Sequence, residues 1–317
     1  MAMAGLYSTQ KVADLTIKKS AKALLPAKRL PYQLGKLPAS GTAKLQLADY
    51  LTPHLLPDIP DNFGHELLVG DWGVLGNATW GDCAIAGPYH SLQLWNAEGA
   101  NQVNISEATV LNAYGEVTDF REDAGPPGEN PTDQGTNCEV MCEYWQKFGF
   151  KDDDGAVHKI DGYVALQPGN LTQLWAAAYL FDGMGVGIEF PREWMDAFSI
   201  GQAWDTIDHP HVAGGHYVTG VGRRNGNLVV VTWGQLQQMT PAGYEQFCDE
   251  AFIYVDTDKL IHGKDINGFD LDTLRRDMWE VAQCEERHAQ ENLQRPPDGG
   301  PPHEGGDDLV ETSRVNT

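Results

Sequence analysis

Two residues carry most of the chemistry that can be read in this sequence, Cys83 and His216. Cys83 closes the run Gly76-Asn77-Ala78-Thr79-Trp80-Gly81-Asp82 and opens the apolar run Ala84-Ile85-Ala86-Gly87. Turn residues followed by an apolar stretch place its thiol at the first position of a helix. There the dipole and the orphan N–H groups favour thiolate, lowering a pKa of about 8.5. The same stretch also suits a buried core cysteine beside a turn. His216 stands in Ala213-Gly214-Gly215-His216-Tyr217-Val218, where it opens a strand. A neutral imidazole there can take a thiol proton and later give it to a leaving amine. A lone histidine at a strand start is also commonly structural.

The elements that must position this pair follow from periodicity and capping signals. A helix is expected from Cys83, with Ile85, Tyr89, Leu92 and Trp95 on one face. Ser106 caps a second, with Ile105 and Val110 spaced as a hydrophobic staple. A long loop covers 121–135. A third helix runs from about 137 to 148, with Val140, Tyr144 and Phe148 as its stripe. Residues 160–167 and 184–190 read as strands, and Asn170 with Gln173 forms a capping box for a helix ending near Gly183. His216–Arg223 and Asn227–Trp233 are strands joined by the hairpin signal Asn225-Gly226. Thr240-Pro241 starts a short helix, Glu250–Asp256 is a strand, and 271–293 is a charged helix. Helices precede antiparallel strands, which is an α+β order.

A cysteine that opens a helix, then about 130 residues later a histidine that opens a hairpin ending in Val230-Val231-Thr232-Trp233-Gly234, resembles the papain-like cysteine peptidase superfamily. Tyr244 and the strand Asp249-Glu250-Ala251-Phe252 also fall in the matching order, so the resemblance spans roughly residues 57–256. It implies a helical half carrying the nucleophile, packed on an antiparallel sheet or barrel half. It also implies a peptidase or amidase acting on a peptide or protein through an acyl-thioenzyme, without cofactor or metal. Cys83 matches the nucleophile and His216 the base. Asn77 lies six residues before Cys83, where the family keeps its oxyanion-hole amide, although turn-making is the common task of Asn beside Gly. Trp233 resembles the tryptophan that shields the histidine. Gly135, Thr136 and Asn137 fall near the segment that pairs with substrate backbone, and Gly215 precedes the base.

The departures from the family are specific. The orienting Asn is missing. An ungapped count from His216 puts Thr232 in its place, alignment on Trp-Gly puts Val231 there, and Asp205 or Asp208 lies upstream as a substitute. Trp80 replaces a disulfide cysteine. A papain-like domain kept as a structural or interaction component, for example of a virion, is therefore the alternative to a working enzyme. Acyl transfer to an amine ranks lower, because no Asp follows His216 until Asp249.

Composition bounds the rest. The chain has 317 residues and a net charge of −23, with 9 Trp, 11 Tyr and 10 Phe to fill a core. Residues 1–44 hold eight basic side chains, Lys36 among them, and one acid, leaving about −30 on the remainder. So acidic a body repels nucleic acid. The basic arm suits an acidic surface, on its own body or on a partner, or else a solvated terminus. No apolar run is long enough for a membrane helix and no secretory leader is legible, so a cytoplasmic protein is expected. Five cysteines are too few for a disulfide framework. The pairs Cys138/Cys142 and Cys284/His288 lack the further ligands a zinc site needs, so buried structural thiols are expected. The expected organisation is a basic arm over 1–45, the papain-like domain over 46–256, a helical extension over 257–294 and a disordered acidic tail over 295–317.

Overall fold

The computed structural model describes residues 30–56, 58–100, 102–256, 270 and 272–280. Its helices are α1 (Cys83–Glu98), α2 (Glu107–Thr118), α3 (Cys138–Lys147), α4 (Leu171–Leu180), α5 (Glu193–Ser199) and α6 (Pro241–Phe247). Its strands are β1 (Phe63–Gly64), β2 (Phe150–Lys151), β3 (Val157–His158), β4 (Gly162–Leu166), β5 (Met184–Pro191), β6 (Val212–Arg224), β7 (Asn227–Thr232), β8 (Gln235–Met239) and β9 (Cys248–Val255). Three helices come first, and an antiparallel sheet in the order β4-β9-β5-β6-β7-β8 follows, with β1 on β6. This is the α+β arrangement expected from the sequence.

The nucleophile helix is the centre of the packing. Cys83 to Leu92 of α1 are all buried, so the helix has no solvent face over that stretch. It packs against β6, α2 and α3. Gly87 sets the closeness of that contact: a Cβ there would overlap the Tyr217 ring on β6. Thr219 of β6 donates its hydroxyl to the Gly87 carbonyl at 2.8 Å, a further tie between the helix and the strand.

The local signals hold at most element starts. Ser106, Asn170 and Thr240 cap α2, α4 and α6. Asn225 and Gly226 both have positive φ and make the two-residue hairpin between β6 and β7. Three details differ. Of the stripe Val140-Tyr144-Phe148, Val140 and Phe148 are exposed and Tyr144 is half-buried, and the buried face of α3 is Cys138, Met141, Cys142 and Trp145. Both faces fit a helical period. Gln173 accepts from the N–H of Gln167, not from its expected box partner Asn170. Helix α5 and the strands β1, β2, β3 and β8 were not expected. Of the helix expected over 271–293, residues 272–280 are helical and the remainder lies outside the described residues, as does the expected acidic tail.

Residues 32–45, read from the sequence as the end of the basic arm, belong to the same compact unit as the sheet and helices. The N–H of Ala165 in β4 donates to the Leu45 carbonyl at 2.9 Å, and Leu45 is buried. Earlier arm residues lie outside the described residues, save Leu30 and Pro31.

Candidate active site

The turn before α1 delivers Cys83 as its first residue, with Asp82 as N-cap. The backbone N–H groups of Tyr217, on β6, and of Gly35 point at its sulfur. The expected thiolate is not what this form holds. Burial pushes the thiol up to about 12, the neighbouring Asp82 adds to the rise, and those two N–H groups only partly oppose it. The helix start is present, but burial outweighs it.

His216 lies one residue before Tyr217 on β6 and is fully buried. Its Nε2 is 2.7 Å from the Thr232 hydroxyl. Its ring stacks on Trp233, with centroids 4.5 Å apart and planes 17° from parallel, and meets Phe190 edge-on. Burial lowers its pKa to about 3, so the ring is neutral. Its Nδ1 is buried without a hydrogen-bond partner. No hydrogen bond joins it to the Cys83 sulfur in this form.

A strained turn sets the Trp233 ring. Trp233 and Gly234, with φ of 46° and 74°, make the two-residue turn between β7 and β8. Left-handed backbone is rare for so bulky a residue, and strain of this kind persists only where the surroundings enforce it. Here the turn carries the indole back over His216.

Thr232 thus stands where the ungapped count from His216 put it, on the imidazole. Asp205 is turned elsewhere: its carboxylate accepts from Thr240 and from the N–H of Thr206. The Asn77 amide, expected at an oxyanion hole, donates to the Trp80 carbonyl of its own turn at 3.2 Å. Asn137 is the N-cap of α3, its side chain accepting from the N–H groups of Glu139 and Val140. Gly135 donates its N–H to the Tyr114 hydroxyl at 2.9 Å.

Thr136 and Gly215 come together with a segment whose part the sequence did not reveal. Residues 33–37 run through the cleft as a strap. Lys36 donates its N–H to the Gly215 carbonyl at 3.1 Å, Leu37 donates to the Thr136 carbonyl at 3.0 Å, and Thr136 donates to the Gly35 carbonyl at 2.8 Å. The Lys36 bridge is parallel to Thr136 and antiparallel to Gly215. Trp233 Nε1 reaches the Gln33 carbonyl at 3.4 Å, and Tyr32 stacks on the outer face of Trp233. Gly35 lies so close to Gly81 and Gly135 that a Cβ on it would overlap the Gly81 carbonyl.

The Lys36 side chain has no exposed surface. Its Nζ is 2.7 Å from Asp249 Oδ2 and 3.0 Å from Glu250 Oε1, at the start of β9, and it donates to the Leu37 carbonyl at 3.0 Å. Burial works against the ammonium, but Glu250 and Asp249 outweigh it and raise the lysine pKa. Burial is also the main cause that raises the Glu250 carboxyl, against the pull of Lys36. A separate trio, His65, Glu98 and Asp182, brings potential ligand atoms within 4.8 Å of one another, with His65 Nδ1 2.9 Å from Glu98 Oε1. The four described cysteines are all buried and unpaired.

The fold and site define an α+β protein with a thiol at a central helix start, a neutral imidazole on the adjoining strand and a strap of its own chain across both. No family model and no curated protein matches the chain. Among solved structures it is similar to xylellain, a cysteine protease from Xylella fastidiosa, at 12 % identity over 73 % of this chain and 98 % of that one, with a TM-score of 0.47. It is similar to procathepsin B S9 from Trypanosoma congolense at 13 % identity over 70 % and 86 %, with a TM-score of 0.49. The proform of the ragweed pollen allergen Amb a 11, a cysteine protease, gives 15 % identity over 68 % and 71 %, with a TM-score of 0.47. Likeness at this level leaves the function to the chain's own residues. Among the described residues no helix is long and apolar enough to cross a membrane.

Proposed function

We propose that the protein is a cysteine peptidase or amidase acting through Cys83 and His216, and that the strap holds it in a latent form. The observation that carries this reading is the state of His216. Thr232 occupies Nε2 and Trp233 fixes the ring plane, while Nδ1 is left without a partner beside the strand residue that contacts the sulfur. A buried imidazole nitrogen without a partner costs the fold stability, and a role in proton transfer is a reason for such a group to be kept.

With the strap displaced, His216 Nδ1 takes the Cys83 proton and the sulfur attacks the substrate carbonyl carbon. The oxyanion forms next to the N-terminus of α1, where unpaired N–H groups and the dipole stabilise it. Collapse breaks the C–N bond, and His216 returns the proton to the leaving amine. Water then attacks the thioester, His216 accepting its proton, and releases the acid and the thiol. For Nδ1 to act as the base, Nε2 carries the proton and the Thr232 hydroxyl accepts from it. Thr232 orients the ring in this way but supplies no charge, so it is a weaker orienting group than a carboxamide or carboxylate.

The test uses iodoacetamide labelling read by peptide mass, together with hydrolysis of a denatured protein substrate. The unmodified chain should label at Cys83 slowly at pH 7.5. Gly35→Ala, which forces the strap off Gly81, should speed labelling at least tenfold and start hydrolysis. Adding His216→Ala to Gly35→Ala should cut both. Rapid labelling that ignores His216, without hydrolysis, would leave the second reading: a domain kept for interaction, which the closed cleft and the neutral thiol favour.

A further inference from the structure

We infer that the buried acidic pocket now filled by Lys36 is a binding site for the basic side chain, lysine or arginine, of an extended peptide substrate. The inference rests on the peptidase reading for the word substrate, and on the geometry of the pocket for the rest.

The pocket is shaped for a long side chain with a cationic end. Gly187 on β5 pairs in register with Glu250 on β9, and a Cβ on Gly187 would overlap the Lys36 stem. The missing side chain opens the channel, and two carboxylates close its far end. Such a channel excludes acidic and bulky branched groups and rewards only a cation, because an unpaired buried charge is expensive.

The pocket also holds more acceptors than one lysine satisfies. Nζ hydrogen-bonds Asp249 Oδ2 and the Leu37 carbonyl. Its approach to Glu250 Oε1 is an ion contact without hydrogen-bond geometry, and Asp249 Oδ1 and both Glu250 oxygens are buried without a hydrogen-bond partner. The Cys138 thiol beside Glu250 is a weak donor. A guanidinium, with five N–H donors in a fixed fork, matches this surplus better than an ammonium does.

The lysine is delivered in the manner of a bound peptide. The strap is fixed by backbone hydrogen bonds to Thr136 and Gly215, which any sequence can make, and by one side chain in one pocket. Backbone pairing for affinity and a side-chain pocket for selection is how extended peptides are commonly read. Gly35, which lets the strap lie flat on Gly81 and Gly135, has no part in the pocket, so the occupant can be dislodged without altering the carboxylates.

The experiment measures binding by fluorescence anisotropy to the full chain carrying Gly35→Ala, with circular dichroism as the check on folding. The probes are a fluorescein-labelled hexapeptide with one central arginine and the same peptide with citrulline, its uncharged isostere. The arginine peptide should bind at least tenfold tighter. Adding Glu250→Gln and Asp249→Asn should remove the difference, and the unmodified chain should bind both weakly. Equal binding of the two peptides, no binding of either, or a preference that survives both neutral substitutions overturns the assignment. If Gly35→Ala does not fold, Lys36→Ala empties the pocket instead, and n-butylammonium should then raise its melting temperature but not that of Lys36→Ala with Glu250→Gln. Absence of that shift overturns the assignment equally. Arginine-selective binding without hydrolysis keeps the pocket and removes the peptidase reading. Hydrolysis without charge preference does the reverse.

Discussion

At the scale of single residues, the site is a set of buried polar groups whose effect on stability depends on whether a partner meets each one. Thr232 is the plainest case. It is buried and its hydroxyl is held to His216 Nε2. Thr232→Val keeps the shape and leaves a second ring nitrogen unsatisfied, so it should cost about 1–3 kcal/mol in urea unfolding. Thr232→Ser should recover most of that, and a valine variant as stable as the parent would show the bond to be idle. Asp82 is the opposite case. It is fully buried, and neither oxygen makes a hydrogen bond of good geometry. Burial, with Asp133 and Glu107 adding to it, raises its carboxyl well above the usual range, against the Asn77 amide. A carboxyl raised on folding contributes fully below its unfolded pKa of about 3.9 and loses that contribution as pH rises through its folded value. Asp82→Asn should therefore be more stable than the parent at pH 8, with the gap closing towards pH 4. A gap that is constant or widens on acidification contradicts this.

At the scale of elements, the contact between α1 and β6 decides whether the thiol and the imidazole share a cleft. Gly87→Ala drives a Cβ into the Tyr217 ring, whose hydroxyl is already paired with Tyr254, so the ring cannot swing aside freely. The helix must lift, at a cost of about 1–3 kcal/mol; chemical denaturation measures it, and a neutral result would mean the helix moves without resistance. Much of this scaffold was legible because its signals are local. Ser106, Asn170, Thr240-Pro241 and Asn225-Gly226 each act within four residues. Thr232 could be reached by counting because β6, its turn and β7 are contiguous. Asn77 and Asn137 were visible because they stand beside turns, and each short amide here serves its own backbone, Asn77 on the Trp80 carbonyl and Asn137 on the Glu139 and Val140 N–H groups. Helix α5 and strand β8 are short: α5 rests on the stacking of Trp194 on Trp204, and β8 pairs with β7 across a turn whose first residue, Trp233, is not one that signals a hairpin. The strap had no signal at all, since its conformation comes from Thr136 and Gly215, far along the chain.

At the scale of the whole molecule, the uneven charge seen in the sequence resolves in part as one lysine of the basic arm lodged in the acidic body. The fold that seals this cleft also seals two histidines in neutral form, and that gives it an acid-labile character. Burial lowers His216 to about 3 and His90 to about 4, while an unfolded histidine titrates near 6.5. A base depressed on folding contributes stability that is present above its unfolded pKa and lost as pH falls towards its folded one. Each histidine should therefore cost about 1.4 kcal/mol per pH unit through that window, because the unfolded chain binds a proton the folded chain refuses. Raised carboxyls such as Asp82 and Glu250 act in the opposite sense, so the total slope mixes both. A difference isolates the histidine term. His90 Nε2 lies 3.2 Å from the Gly73 carbonyl, and glutamine can keep a donor there. Relative to the parent, His90→Gln should gain about 1.4 kcal/mol for each pH unit of acidification between roughly 6 and 4.5. Urea unfolding at four pH values in that range measures the gain, and a pH-independent difference would place a charged His90 in the folded protein.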